Sequence, residues 1–419
     1  MSCPAPASSV PRLLVFSTLY PNAAAPNHGV FVENRLRHLL ATGEATARVL
    51  APVPWFPSGA SVFGAWGRHA RAPRAELRHG IAIDHPRYLV IPRLGMAAAP
   101  ALLAAAGLAA AQRLREAGFA FDLIDAHYVY PDGVAAVRIG AALGVPVVIT
   151  ARGSDVTQLP DYPAPRRLIQ DAIGRAAGLI AVSAALGERL AALGADPARV
   201  TVLRNGVDTA LFRPPADRAA ARAALGLDRP TLLSVGALIP RKGHHLTIAA
   251  LAELPGWALL IAGEGPERAR LAAQIAALGL GGRVRLLGPV AHEALAACYG
   301  AADAMVLASA REGWANVLLE SMACGTPVVA SNIQGNPEVV QSPAAGRIVA
   351  ENTPAGIAAA VRALAAAPPD RAATRAYAER FGWAEVSRGQ LALFRSVLAS
   401  ARSRSPIPAA EADAAASSQ

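Results

Sequence analysis

The sequence predicts an α/β protein of two doubly wound domains, each a parallel sheet covered by helices on both faces. Three observations carry this expectation. Short runs rich in Val, Ile and Leu recur along the chain with alanine-rich helical stretches between them, the alternation that parallel sheets produce. The 419 residues exceed one average domain and fit two cores of roughly 200 residues. A turn- and proline-rich break between Asn205 and Pro230 splits the runs into two sets. With 53% hydrophobic and 17% charged residues, both sets can bury large cores, which excludes disorder as the main character.

Taken in order, residues 1–11 read as a flexible N-terminus. They lack a basic segment leading into an apolar one, so no signal peptide is expected. The first domain, 12–205, takes strands at Arg12–Ser17, Arg48–Ala51, Asp122–Asp125, Val145–Thr150, Leu179–Val182 and Val200–Leu203. The second, 206–384, takes strands at Leu232–Val235, Ala258–Ile261, Val284–Leu286, Ala304–Leu307, Pro327–Ala330 and Gly346–Val349. A terminal helix is expected over 385–400, and the polar Ser/Ala/Pro-rich stretch 401–419 reads as a disordered tail.

Two segments of the first domain need separate treatment. Leu94 to Ala111 has eighteen residues without a charge, the minimum length of a membrane span. Pro100, Gly95, Gly107 and the predominance of alanine favour a partly buried helix of a soluble protein instead. Before it, Trp55, Phe56, Phe63 and Trp66 precede Arg68, Arg71, Arg74, Arg78, Arg87 and Arg93. Aromatic and basic residues together suit a membrane interface; the alternative is an irregular loop whose aromatics pack into the core.

Composition narrows the chemistry further. Cys3, Cys298 and Cys324 are too few for a disulfide framework or a four-sulfur metal site. The net charge is +10, and residues 1–205 hold 20 basic and 13 acidic side chains. Such a field favours nucleic acid, acidic lipid headgroups or phosphorylated substrates. The near-exclusive use of arginine (Lys242 is the one lysine) beside so much alanine also fits a compositional bias.

Ligands of parallel α/β domains gather beyond the carboxyl ends of the strands, which selects five segments. Ser17 to Glu33 opens a helix near Gly29; one glycine is not the spaced-glycine fingerprint of dinucleotide binders, so a nicotinamide or flavin site is disfavoured. His127, Tyr128 and Asp132 follow the third strand, where a histidine can exchange protons with a ligand or serve as a bonded core residue. Arg152-Gly153-Ser154-Asp155 follows the fourth, and Arg152 can fork onto a phosphate or pair with Asp155. Gly236 and the adjacent cations Arg241 and Lys242 follow the first strand of the second domain and suit a diphosphate. Arg311-Glu312-Gly313-Trp314-Ala315-Asn316-Val317-Leu318-Leu319-Glu320 leads into a helix whose free N–H groups can hold phosphate oxygens. Glu312 and Glu320 can then accept hydrogen bonds from sugar hydroxyls on either side.

Glu312 and Glu320 with seven residues between them, running on through Met322-Ala323-Cys324-Gly325-Thr326-Pro327, resemble the retaining nucleotide-sugar glycosyltransferases of family 4. Gly335-Asn336-Pro337-Glu338, Arg241-Lys242-Gly243 and Asn205-Gly206-Val207-Asp208 match as well, and the likeness covers about residues 12 to 400. The resemblance implies a GT-B architecture: two Rossmann-like domains facing a cleft, the first binding acceptor and the second donor, with the terminal helix crossing back. It implies that Glu312 contacts the donor sugar, that Gly313, Trp314, Ala315, Asn316 and Val317 lie near sugar and phosphate, and that Glu320 holds the ribose. Arg241 and Lys242 would neutralise the diphosphate, with Gly236 in the same loop. Gly29 would approach the diphosphate from the opposite domain, and His127 would face the reacting centre. Arg152 stands where relatives commonly have histidine; it, Asp155 and Tyr128 are acceptor-side candidates.

The expected activity is transfer from a UDP- or GDP-sugar to a saccharide or lipid-linked saccharide in bacterial surface polysaccharide or glycolipid synthesis. Neither a cofactor nor a bound metal is expected, and neither is nucleic acid. The expected location is cytoplasmic, peripheral at the inner membrane face, with Trp55, Phe56, Trp66, Arg71, Arg74 and Arg78 as contacts. Two rival readings are a sugar-nucleotide epimerase of similar scaffold and a non-enzymatic binder of anionic lipid or nucleic acid.

Overall fold

The computed structural model describes residues 10–90 and 95–404. Residues 1–9 and 405–419, and with them most of the expected flexible terminus and tail, lie outside the described residues, as do Arg93 and Leu94.

All twelve expected strands form, with ends displaced by no more than two residues. In the first sheet the order is Val200–Val202, Gly178–Ala181, Val147–Ala151, Leu123–His127, Arg12–Phe16, Thr46–Leu50, Ile81–Asp84, Ala75–Arg78. In the second it is Val284–Gly288, Ala258–Ala262, Thr231–Val235, Ala304–Leu307, Val328–Ser331, Gly346–Val349, all parallel. Strands buried on both faces need apolar side chains at successive positions, and every residue of Thr231–Val235, Leu123–His127 and Val147–Ala151 is buried.

The first sheet departs from the expected all-parallel form at one edge. Ala75–Arg78 runs antiparallel to Ile81–Asp84. His79 and Gly80, both at positive φ (49° and 78°), form the two-residue turn that such a hairpin needs. A further pair, Val53–Pro54 with Arg87–Tyr88, makes a small separate sheet. The arginine-rich segment is therefore partly sheet, and its alternation of buried Ile81 and Ile83 with half-buried Ala82 and Asp84 is the signature of a one-sided strand.

The uncharged segment forms the helix Gly95–Glu116, long and apolar enough to cross a membrane by length and composition alone. It packs on the first sheet. A Cβ on Gly107 would lie 2.7 Å from both Phe16 and Ile139, so glycine permits the close approach.

The terminal helix runs Trp383–Arg404, so residues 401–404 continue it and do not begin a tail. Leu391, Phe394 and Val397 bury themselves with Leu13, Val15, Val148 and Ile180 of the first domain, worth about 1.5–3 kcal/mol per fully buried side chain. The two chain crossings lie side by side: Val207 pairs with Gly382, and its N–H donates to Phe381 O at 2.9 Å. Trp383 stacks on His38 with ring centroids 5.1 Å apart.

Candidate functional site

The carboxyl ends of both sheets face one cleft of about 450 Å³. On the first-domain wall, Gly29 caps the helix Val30–Leu40 at φ 74°, and a Cβ there would sit 2.3 Å from Leu19 O. No other residue fits without moving the loop. Val30 and Phe31 line the cleft, whereas Gly29 itself does not. The loop is tied from below by Asp132, whose carboxylate accepts Thr18 N at 2.5 Å and Thr18 Oγ1 at 3.0 Å. Burial pushes the Asp132 carboxyl up to about 7.

His127 does not reach the cleft. Its side chain is 2% exposed, with Nε2 3.3 Å from Asp125 Oδ2, and Nδ1 accepts Arg152 Nη2 at 2.7 Å. A guanidinium only donates, so the Nδ1 lone pair is taken and the ring proton sits on Nε2 toward Asp125. Burial holds the imidazole pKa below its ordinary value against the pull of Asp125, and the Arg152 charge adds to the lowering. The expectation that His127 faces the reacting centre is thus corrected: Arg152 stands in front of it and lines the cleft.

Asp155 is likewise not an acceptor-facing carboxylate. It is fully buried and accepts the backbone N–H groups of Val129, Arg152 and Gly153 at 2.8, 3.1 and 2.6 Å. Burial lifts its pKa despite these bonds. The Arg152 guanidinium therefore does not pair with Asp155; its side-chain partners are His127 and Asn205. Tyr128 lines the cleft with its hydroxyl bonded to Ser154 Oγ.

The second-domain wall is built differently. Gly243, at φ 70°, turns the chain so close to the next strand that a Cβ would lie 2.0 Å from Ala308 O. That turn aims Lys242 Nζ at Glu312 Oε1, 2.6 Å away, where Ser309 Oγ also donates at 2.7 Å. Arg241 Nη1 lies 3.7 Å from Glu312 Oε2 and donates to Arg311 O. Gly236 lines a neighbouring pocket with Val290 and His292. The helix Asn316–Ala323 starts without a side-chain cap, leaving its first N–H groups for a ligand or solvent.

Glu320 accepts from Tyr299 Oη at 2.9 Å and lies 3.0 Å from His292 Nε2. Burial opposes charging His292, but the Glu320 hydrogen bond and charge outweigh it and raise its pKa. Sequence reasoning missed both partners; His292 stands four residues past the strand Val284–Gly288, where ligand groups gather. Trp314 lines the cleft and donates Nε1 to Asn205 O at 3.1 Å.

The two walls touch at glycines. A Cβ on Gly313 would lie 1.9 Å from Arg152 O, and one on Gly153 would lie 3.3 Å from Gly313 N. Beside them Glu338 accepts the first-domain N–H groups of Ala184 and Ala185 at 3.0 and 3.1 Å and pairs with Arg204 at 2.6 Å. Among the described residues no cluster of three or more His, Cys, Asp or Glu side chains comes together.

The expected membrane contacts separate into two kinds. Trp55, Phe63 and Trp66 are 50, 46 and 40% exposed, which removes the alternative of core packing. Phe56 packs against two of them, with ring centroids 5.3 Å from Phe63 and 5.7 Å from Trp66. Arg74 is exposed, and Arg71 is exposed with one arm on Gly59 O. Arg78 is a correction: it forks onto Glu33 at 2.7 and 3.3 Å, so its charge is spent inside the domain.

Two family models match the chain: "Glycosyltransferase Family 4" over residues 61–211 and "Glycosyl transferases group 1" over residues 217–381. The chain is 33% identical over 317 residues to the D-inositol 3-phosphate glycosyltransferase of Mycobacterium tuberculosis, covering 70% of this chain and 65% of that one. It thus spans just under two thirds of the curated relatives it matches. Among solved structures, sucrose-phosphate synthase from Thermosynechococcus elongatus superposes with a TM-score of 0.75 at 23% identity, over 93% of this chain and 99% of the other. Anabaena HepE, solved in complex with UDP and glucose, superposes with a TM-score of 0.71 at 22% identity, over 92 and 100%. Two α/β domains with an interdomain cleft, both family models and the relatives agree: the chain is a GT-B-fold protein related to the family 4 sugar-nucleotide glycosyltransferases.

Proposed function

We propose that the protein is a retaining glycosyltransferase that moves a sugar from a UDP- or GDP-sugar to a saccharide or lipid-linked saccharide in cell-surface polysaccharide or glycolipid synthesis. The observation that carries this is the second-domain wall. Glu312 and Glu320 flank the uncapped helix end at Asn316, with Lys242 and Arg241 against Glu312. That set matches a nucleotide sugar part by part: Glu320 the ribose diol, the helix end and two cations the diphosphate, Glu312 the sugar. His292 and Tyr299 hold Glu320 in place until the ribose hydroxyls arrive. Gly236 shapes the adjoining pocket for the base, and Gly29 keeps the opposite loop close.

Transfer proceeds on one face of the sugar. The acceptor oxygen bonds to the anomeric carbon as the carbon–phosphate oxygen bond breaks, and the acceptor proton passes to the departing diphosphate. Lys242, Arg241 and the helix N–H groups stabilise the charge that develops there. Double displacement needs a carboxylate on the opposite face. Glu312 and Glu320 are the carboxylates lining the cleft among the described residues, and Glu312 is pinned by Lys242 and Ser309. On the acceptor side Arg152 and Tyr128 face the sugar, with His127 behind Arg152 as its support. Lys242 and Arg241 supply the countercharge, so no metal is needed.

The exposed cluster of Trp55, Phe63 and Trp66 beside Arg71 and Arg74 supports a peripheral position at the inner membrane face, where a lipid-linked acceptor is presented. The test is release of nucleoside diphosphate from UDP-, GDP- and ADP-sugars with extracted lipid acceptors and chelator present. Acceptor-dependent release is expected. Conversion of the donor sugar without acceptor would establish the epimerase instead.

A further inference from the structure

A run of hydrogen bonds joins the buried centre of the first domain to the helix end facing the cleft, and its direction is set at one end. Arg35, 1% exposed, and Arg152 each aim Nη1 at Oδ1 of Asn205, at 3.3 and 3.0 Å. Guanidinium groups carry donors only, so the side-chain oxygen of Asn205 must face both arginines. Its NH₂ group therefore faces away and donates to Oδ1 of Asn316 at 3.1 Å. Asn316 can only accept at that contact, which turns its own NH₂ toward the cleft that it lines.

The arginine end of the run is not free to invert. Arg35 Nε donates to Gln390 Oε1 at 2.9 Å, and Gln390 Nε2 donates to Asp125 Oδ2 at 3.0 Å. Arg152 Nη2 is held by His127. The backbone oxygen of Asn205 takes the Trp314 indole N–H. Asn205 is 4% exposed, so water cannot readily substitute for these partners.

We infer that Asn205 is a positioning residue for the donor site: it fixes Asn316 as a hydrogen-bond donor toward the diphosphate of the bound nucleotide sugar. The inference rests on the donor-site reading above. A diphosphate ester at neutral pH offers acceptors only, so an amide presenting its oxygen would repel it. Two amides in series pass the polarity of buried Arg35 and Arg152 to the helix end. An aspartate at 205 would reverse that direction, because it accepts from the arginines and from Asn316 alike. Asn316 would then turn its oxygen to the cleft.

Titration calorimetry with UDP, GDP and ADP on the full chain, followed by variants with the diphosphate that binds best, tests this. Asn205→Asp and Asn316→Ala should each weaken binding roughly tenfold, the scale of one lost charged hydrogen bond. Asn205→Asp placed on Asn316→Ala should add less than about twofold, because the relay then has no terminus. A simple charge effect of the aspartate would instead persist on that background. Thermal unfolding checks that the variants fold; should Asn205→Asp fail to, Asn205→Ala serves, with a loss expected only when Asn316 is present. Wild-type affinity in either Asn205 variant, or a full additive loss in the double variant, overturns the relay alone. Wild-type protein that binds none of the three diphosphates overturns the donor-site reading and the relay with it.

Discussion

The two walls of the cleft use the same residue types at the same places beyond parallel strands, yet they hold their charges differently. On the first-domain wall Asp132 and Asp155 are fully buried and bonded to Thr18 and to backbone N–H groups, and Asp125 is closed in by His127 and Gln390. On the second-domain wall Glu312 and Glu320 keep about a tenth of their side chains exposed. Their hydrogen-bond partners are side chains: Lys242, Ser309, His292 and Tyr299. A ligand can take over a contact to a side chain that lines the cleft, as Lys242 and His292 do, whereas it cannot displace a backbone N–H without unfolding the loop. The first wall's carboxylates thus set shape, and the second wall's carboxylates are available for chemistry.

The largest expected effect breaks the second wall. Lys242→Ala leaves Glu312 without its close cation and the diphosphate without countercharge. Removing one preorganised group that stabilises developing charge costs roughly 10²–10³ in rate, so kcat/KM should fall at least about a hundredfold. Steady-state kinetics with the preferred donor measure it; activity within tenfold of wild type would show that Arg241 and the helix end suffice.

Next in size are the two glutamates, which sharpen the division within that wall. Glu320→Gln should mainly weaken nucleotide binding and Glu312→Gln mainly slow transfer, each by about 1.5–3 kcal/mol for a lost charged hydrogen bond. Nucleoside-diphosphate affinity set beside turnover separates them. Equal effects of each variant on both quantities would remove the assignment of ribose to one and sugar to the other.

How far each wall was legible follows from the same contrast. Glu312, Glu320, Arg241 and Lys242 lie in contiguous segments whose spacing carries the reading. Their partners do not: His292 meets Glu320 across 28 positions, and Arg35 meets Gln390 across 355. Pairings of that range are decided by topology, and no local pattern announces them. Strands buried on both faces were readable as apolar runs, while the hairpin Ala75–Arg78 with Ile81–Asp84 was hidden by its arginines. The His79-Gly80 turn between two short alternating runs was the signal available for it. His127 and Asp155 were misplaced because position beyond a strand end says that a side chain is near the cleft, and not which way it points.

A pH experiment breaks the first wall without touching the second. Burial raises the Asp132 carboxyl to about 7, whereas unfolded it titrates near the ordinary 3.8. Between those values the folded protein binds more protons than the unfolded chain, so this group's contribution to stability falls as pH rises from about 4 to about 7. Asp132→Asn keeps a neutral group that can accept Thr18 N and donate to Thr18 Oγ1. Its unfolding midpoint in denaturant should therefore decline less than that of wild type across the window. Parallel curves would show that Asp132 is ionised in the fold and that its bonds to Thr18 outweigh its burial.

The smallest expected effect applies the same distinction to the arginines. Arg78 is spent on Glu33, whereas Arg71 and Arg74 stand exposed near Trp55, Phe63 and Trp66. Each basic side chain near an anionic surface contributes about 1 kcal/mol. Neutralising Arg71 and Arg74 together should thus weaken binding to phosphatidylserine-containing vesicles by more than tenfold. Arg78→Ala should instead lower the unfolding midpoint, since it strands a nearly buried Glu33, while leaving vesicle affinity close to wild type. Sedimentation with vesicles at two salt concentrations measures both. Binding that is salt-insensitive, or that falls as much for Arg78→Ala as for the exposed pair, would mean that free surface charge does not set the membrane contact. The aromatic cluster would then carry it through apolar burial.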